Sequence, residues 1–131
     1  MVALLNRSDH HHKWTKRAFS QARVPVVTVD AVVSECLFLL RRNRLDPGGL
    51  LDLLKTGVLG VDLRSESETA RAVALCRTYV DVPMSWADAS LVVLSEKRPK
   101  AELVTFDSDF TIYRRFGRER LLLVRPASPR K

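Results

Sequence analysis

The residues best able to do chemistry in this chain are three acids: Glu35 in VVSECLFLL, Asp88 in PMSWADASLVVL and Asp107 in ELVTFDSDF. Each is flanked by apolar residues that read as core. An ionised carboxylate in such surroundings is expensive unless it is paired or binds a cation. Three of them in one small chain point to a shared cation site. Oxygen-only ligands suit a hard ion such as Mg²⁺ or Mn²⁺. Such an ion can activate water and offset charge on a phosphoryl oxygen. The leading expectation is therefore a metal-dependent hydrolase.

Each acid also has a plainer reading. Glu35 shares a helix face with Val32, Phe38, Leu39 and Arg42, so it could pair with Arg42 or Arg41. Ser85-Trp86-Ala87-Asp88 fits a capping box, with Asp88 at its third position. Asp107-Ser108-Asp109 is good turn material. The three histidines, His10, His11 and His12, are consecutive and would point in different directions on a helix, which argues against a soft-metal site. No phosphate-cradling glycine loop, GxSxG or His-Glu-x-x-His is present. Trp14, Trp86, Tyr79 and Tyr113 read as packing residues rather than stacking platforms.

The elements that would position the acids alternate between helix and strand. Residues 2–22 read as helix with a break near Ser8-Asp9. Val24 to Asp30 is a short β-branched strand. Asp30 is placed to cap a helix from Ala31 to about Arg42, apolar nearly all round and so expected to be central. Asp46 and Pro47 open a helix that stops at Gly57, and a strand follows over Val58 to Leu63. Ser65 opens the helix SESETARAVALCRTYV, and Ser85 opens another to about Lys97. Glu102 to Phe106 is a strand, Thr111 to Phe116 a short turn or helix, and Leu121 to Val124 a last strand. The tail over residues 126–131 is expected to fray.

Strands alternating with helices imply an α/β fold with parallel crossovers. In an open parallel sheet, ligands bind beyond the carboxyl ends of the strands. Glu35 and Asp107 follow strand ends, and Asp88 starts a helix that could reach the same edge.

At 131 residues the chain is expected to be one domain. No apolar run approaches the roughly 20 residues needed to span a membrane, and the start has no basic leader. Cys36 and Cys76 lie in apolar helical contexts and fit buried thiols of a reducing compartment, which points to the cytoplasm. The net charge is +7, and the 22 basic residues are 16 Arg and 6 Lys. Excess positive charge attracts polyanions, and arginine forks onto phosphate and stacks on bases. The same excess could reflect coding composition alone, so charge supports a nucleic-acid substrate without establishing one.

Three segments, VVSECLFLLRR, MSWADASLVVLSE and ELVTFDSDFTIYRRFG, resemble the PIN-domain ribonucleases of the VapC toxin type, and ALLNRSDHHHKW resembles their first helix. The resemblance covers nearly all of the chain in the family's order. It implies an α/β/α sandwich around a mostly parallel sheet and metal-dependent cleavage of RNA. Carried over by position, Glu35, Asp88 and Asp107 would be the catalytic, metal-holding carboxylates, with Asp109 as accessory acid and Mg²⁺ or Mn²⁺ as cofactor. Arg41, Arg42, Arg114 and Arg115 are candidates to hold the RNA backbone. The implied partners are an RNA substrate, a cognate antitoxin and a second copy of the chain. The family begins with a central strand ending in Asp, whereas Met1-Val2-Ala3-Leu4-Leu5 already reads as its first helix. That strand and its Asp are therefore expected to be absent. Two functions stay open: an active endoribonuclease, or a catalytically impaired, truncated module that binds RNA or antitoxin.

Overall fold

The computed structural model describes residues 1–127, so most of the expected frayed tail lies outside the described residues. The chain divides into two compact units, Met1–Leu63 and a second beginning at Arg64.

The first unit runs α1 (Val2–Leu5), α2 (His12–Gln21), β1 (Val26–Val29), α3 (Asp30–Arg42), α4 (Gly48–Lys55) and β2 (Leu59–Asp62). The break at Ser8-Asp9 is real: the Asp9 carboxylate accepts from the His11 N–H at 2.8 Å, and α2 follows. β1 and β2 pair in parallel with Val26 opposite Leu59 and Val29 opposite Asp62. Parallel strands need a long crossover, and α3 with α4 provides it. The core is Cys36, Leu40, Leu50 and Leu59, with Leu5, Val26 and Leu54 packed on it. Gly57 ends the loop after α4 at φ +75, in the left-handed region that glycine enters without strain.

Two expectations about α3 change. Asp30 is its first residue, not its cap; Val29 holds that position and no side chain caps it. An acid there still favours the helix dipole. Nor is α3 central. Only Cys36 and Leu40 are buried along it, and Phe38 is 61% exposed. Within this unit α3 packs on β1 and α1, which cover a single stripe of it. At α4, Pro47 takes the cap position expected of Asp46, whose carboxylate accepts from the Gly48 N–H at 3.0 Å.

The second unit runs α5 (Glu66–Thr78), α6 (Trp86–Lys97), β3 (Leu103–Val104), a 3-10 turn (Ser108–Thr111), β4 (Arg114–Arg115), β5 (Glu119–Arg120) and β6 (Leu123–Val124). Ser65 and Ser85 both form full capping boxes, with Glu68 and Asp88. β3 pairs with β6 in parallel, and β4 with β5 in an antiparallel hairpin; the short turn or helix expected over Thr111 to Phe116 lies earlier, at Ser108–Thr111, and Arg114–Arg115 is strand. α5 and α6 pack together over Ala72, Leu75, Ala89, Val92 and Val93, and the 3-10 turn and its exit add Phe110 and Tyr113. The two helices are also joined by a two-pronged ion pair, Arg71 Nε and Nη2 to the Glu96 carboxylate at 3.1 and 2.8 Å. The α/β class with short parallel strands is thus as expected.

Candidate active site

Asp88 owes its place to Ser85. The Ser85 N–H donates to Asp88 Oδ2 at 2.9 Å, and the Asp88 N–H donates to Ser85 Oγ at 3.0 Å. The capping box therefore exists, and it fixes the carboxylate in the first turn of α6. Asp88 Oδ1 has no protein partner among the described residues. The cap and a ligand role use different oxygens, so they do not compete.

Asp107 is the cap of the 3-10 turn, and its Oδ1 accepts from the Asp109 N–H at 2.8 Å. Its own N–H donates to Thr105 Oγ1 at 3.1 Å. Turn chemistry is again present, and again one oxygen is left over. Asp109 opens the first turn of the same 3-10 segment.

The group that feels all three acids is Tyr113. Its ring is fully buried, edge-on to Tyr79 and Phe110 with centroids 5.1 and 5.3 Å away. Its hydroxyl has no hydrogen-bond partner among the described residues. Burial holds the phenol well above its usual value, and the negative fields of Asp88, Asp109 and Asp107 push it the same way. The N-terminus of α6 and the 3-10 turn therefore place three carboxylates within electrostatic reach of one buried phenol. Tyr113 was read as packing; nothing in its spacing marked it as the group these acids act on.

The donors fit a hard divalent cation: all are carboxylate oxygens, and Asp88 and Asp107 each keep one oxygen without a protein partner. Among the described residues, no three His, Cys, Asp or Glu side chains converge tightly enough to form a ligand cluster. Repulsion between like charges favours that looser spacing.

Glu35 belongs to the first unit, on α3. It is exposed, and it makes no ion pair with Arg41 or Arg42. The expectation that the acids sit among core residues fails here and at Asp107, which is also exposed. The apolar neighbours of Glu35 that are buried, Cys36 and Leu40, occupy a different stripe of the helix.

The four arginines separate. Arg41 and Arg42 are exposed in the last turn of α3. Arg114 turns inward on its own segment, Nη1 donating to the carbonyls of Thr111, Ile112 and Tyr113 at 2.8, 2.7 and 2.9 Å. Arg115 departs from the expected backbone-holding role. It is 6% exposed, and its Nη1 donates to the Pro99 carbonyl at 2.7 Å. It ties the hairpin to the end of α6.

Sequence reasoning also set Trp86 aside as packing. The structure leaves it 42% exposed at the first position of α6, with the Arg64 guanidinium 4.7 Å from its ring centre.

No helix among the described residues is long and apolar enough to cross a membrane. No curated protein sequence matches the chain. The PIN domain family model matches residues 1–115, running from the first unit well into the second and taking in Glu35, Asp88, Asp107 and Asp109. With that match across most of its length, the chain belongs to the PIN-domain family, whose members are in general metal-dependent nucleases.

Proposed function

We propose that this protein is a Mg²⁺- or Mn²⁺-dependent endoribonuclease that hydrolyses RNA phosphodiester bonds. The observation that carries the reading is the PIN-domain match over residues 1–115, with Asp88 and Asp107 each fixed by one oxygen in a cap and keeping the other without a protein partner among the described residues. Asp88 and Asp107 would hold the cation through the oxygens their caps leave over, and Asp109 would assist; Glu35 is a candidate by its place in the family pattern alone. A bound divalent ion would supply an activated water and charge compensation at the phosphate. The protein's part is to hold the carboxylates in place, which the Ser85 and Asp109 N–H groups do by donating to one oxygen of Asp88 and of Asp107. Arg41 and Arg42, exposed at the end of α3, are candidates to hold the RNA backbone.

The likeness of VVSECLFLLRR and TFDSDF to VapC-type proteins supports a narrower assignment. In that assignment the protein is a cytoplasmic toxin, restrained by a cognate antitoxin and acting as a homodimer.

The decisive experiment is cleavage of structured RNA with Mn²⁺ or Mg²⁺, with chelator, and with Asp88→Asn. Asparagine keeps an oxygen for the Ser85 N–H, so the fold should persist while cutting falls to background. Full activity of Asp88→Asn, or cutting unaffected by chelator, sinks the proposed site.

A further inference from the structure

A large aromatic ring exposed at a helix start needs a reason. Trp86 is 42% exposed, yet it is not loose. The Arg64 guanidinium lies over the ring, 4.7 Å from its centre. Arg64 is held there by its Nη1, which donates to Ser90 Oγ at 2.6 Å. Ser90 is 2% exposed, and its hydroxyl donates in turn to the Trp86 carbonyl at 2.6 Å. Ring, guanidinium and buried hydroxyl form a closed set in which each member fixes the next. Arg64 has no carboxylate partner among the described residues, so its charge is not neutralised. The product is a rigid, flat, positively charged aromatic surface in the same helical turn as Asp88.

We infer that Trp86, backed by Arg64, is a stacking platform for an unpaired base of an RNA strand. Every base has a π face, and stacking on an aromatic side chain strengthens binding without demanding sequence. Arginine over the ring adds cation–π character and attraction for the neighbouring phosphate. Because the ring is already immobilised, little conformational entropy remains to be lost on binding. A single ring is too small an apolar area for a stable protein contact, which favours a base over a protein partner. Trp86 and Asp88 are the first and third residues of α6, about 3 Å apart along the helix axis. Residues two apart point to different sides of a helix, so a strand stacked on Trp86 would have to cross the start of α6 to reach Asp88. This rests on the ribonuclease reading and adds to it a base-stacking site at the start of α6.

The test uses the full chain with Trp14→Phe, so that Trp86 is the only tryptophan, in chelator so that nothing is cut. The probe is a short unstructured RNA, alone or annealed to its complement, with binding followed separately by anisotropy of a label on the RNA. The single strand should quench Trp86 emission and the duplex should not. Trp86→Ala should weaken single-strand binding about 5- to 150-fold, while Trp86→Phe restores most of it. RNA that binds without changing Trp86 emission, and equally well to Trp86→Ala, overturns the platform and leaves the ribonuclease reading standing. An effect of Trp86→Ala confined to self-association overturns it in favour of a protein contact. Absence of any RNA binding overturns both.

Discussion

At the scale of single residues, Asp88 and Asp107 each give one carboxylate oxygen to a backbone N–H, of Ser85 and of Asp109, and keep the other. Ser85-x-x-Asp88 announces a cap, and Asp107-Ser-Asp109 announces a turn; both are found. Each motif was weighed as an alternative to a ligand role, but the geometry shows that one oxygen caps and the other remains. Tyr113 gave no signal, because a buried aromatic on a short segment looks the same whatever its hydroxyl faces. Its phenol yields a prediction. A buried hydroxyl without a partner costs about 1–3 kcal/mol, so Tyr113→Phe should raise stability by about 1 kcal/mol or more. A loss of stability in chemical denaturation would show that the hydroxyl has a partner after all. The sign of the pH effect follows from the raised value. The unfolded phenol ionises above pH 10 while the folded one keeps its proton, so the folded state binds more protons there. This contribution is complete below pH 10 and fades as pH rises beyond it. Tyr113→Phe should remove that part of the alkaline slope.

At the scale of elements, α5 and α6 were read well because their starts carry side-chain chemistry. Ser65 and Ser85 begin α5 and α6 as expected, each completing a box with the residue three positions on. Strands were read as longer than they are. Val58 to Leu63 becomes Leu59–Asp62, and Glu102 to Phe106 becomes Leu103–Val104, although single hydrogen bonds continue beyond both, Val26 N–H to the Val58 carbonyl at 2.9 Å and Thr105 N–H to the Val124 carbonyl at 3.2 Å. The β4–β5 hairpin was missed because its strands have two residues each and carry arginine and glutamate rather than alternating apolar side chains. Its turn puts Phe116 at φ +50 and Gly117 at φ +75, closed by the Arg118 N–H donating to the Arg115 carbonyl at 3.0 Å. Glycine suits that conformation; phenylalanine does not, and its ring is 52% exposed, so packing offsets little of the strain. Asparagine tolerates the left-handed region, and the Phe116 N–H bond to the Glu96 carboxylate at 2.7 Å is backbone and would survive. Phe116→Asn should therefore stabilise the protein by about 1 kcal/mol. An unchanged or lower melting temperature would mean that the exposed ring has packing value the strain argument neglects.

At the scale of the whole molecule, the sequence supplied the family and the charge, and the family match runs through both compact units. The division into two units was not legible, because no linker or shift in composition marks Leu63-Arg64. The net charge of +7 was legible but ambiguous, since it fits either a polyanion partner or coding composition. The structure narrows the choice by sorting the arginines. Arg115 is buried and Arg114 is spent on carbonyls, whereas Arg41 and Arg42 are exposed and Arg64 lies without a carboxylate partner beside Trp86. If these outward charges meet phosphates, binding must release counterions. About four phosphate contacts on a single strand give a slope near −3 in log affinity against log salt, or about 50-fold weaker binding from roughly 50 to 200 mM salt. Arg41→Gln with Arg42→Gln should flatten that slope, while Arg115→Gln should leave it unchanged and lower stability instead, because that residue serves Pro99 and the hairpin. Binding that ignores salt would assign the positive charge to composition alone and remove electrostatics from the account of RNA recognition.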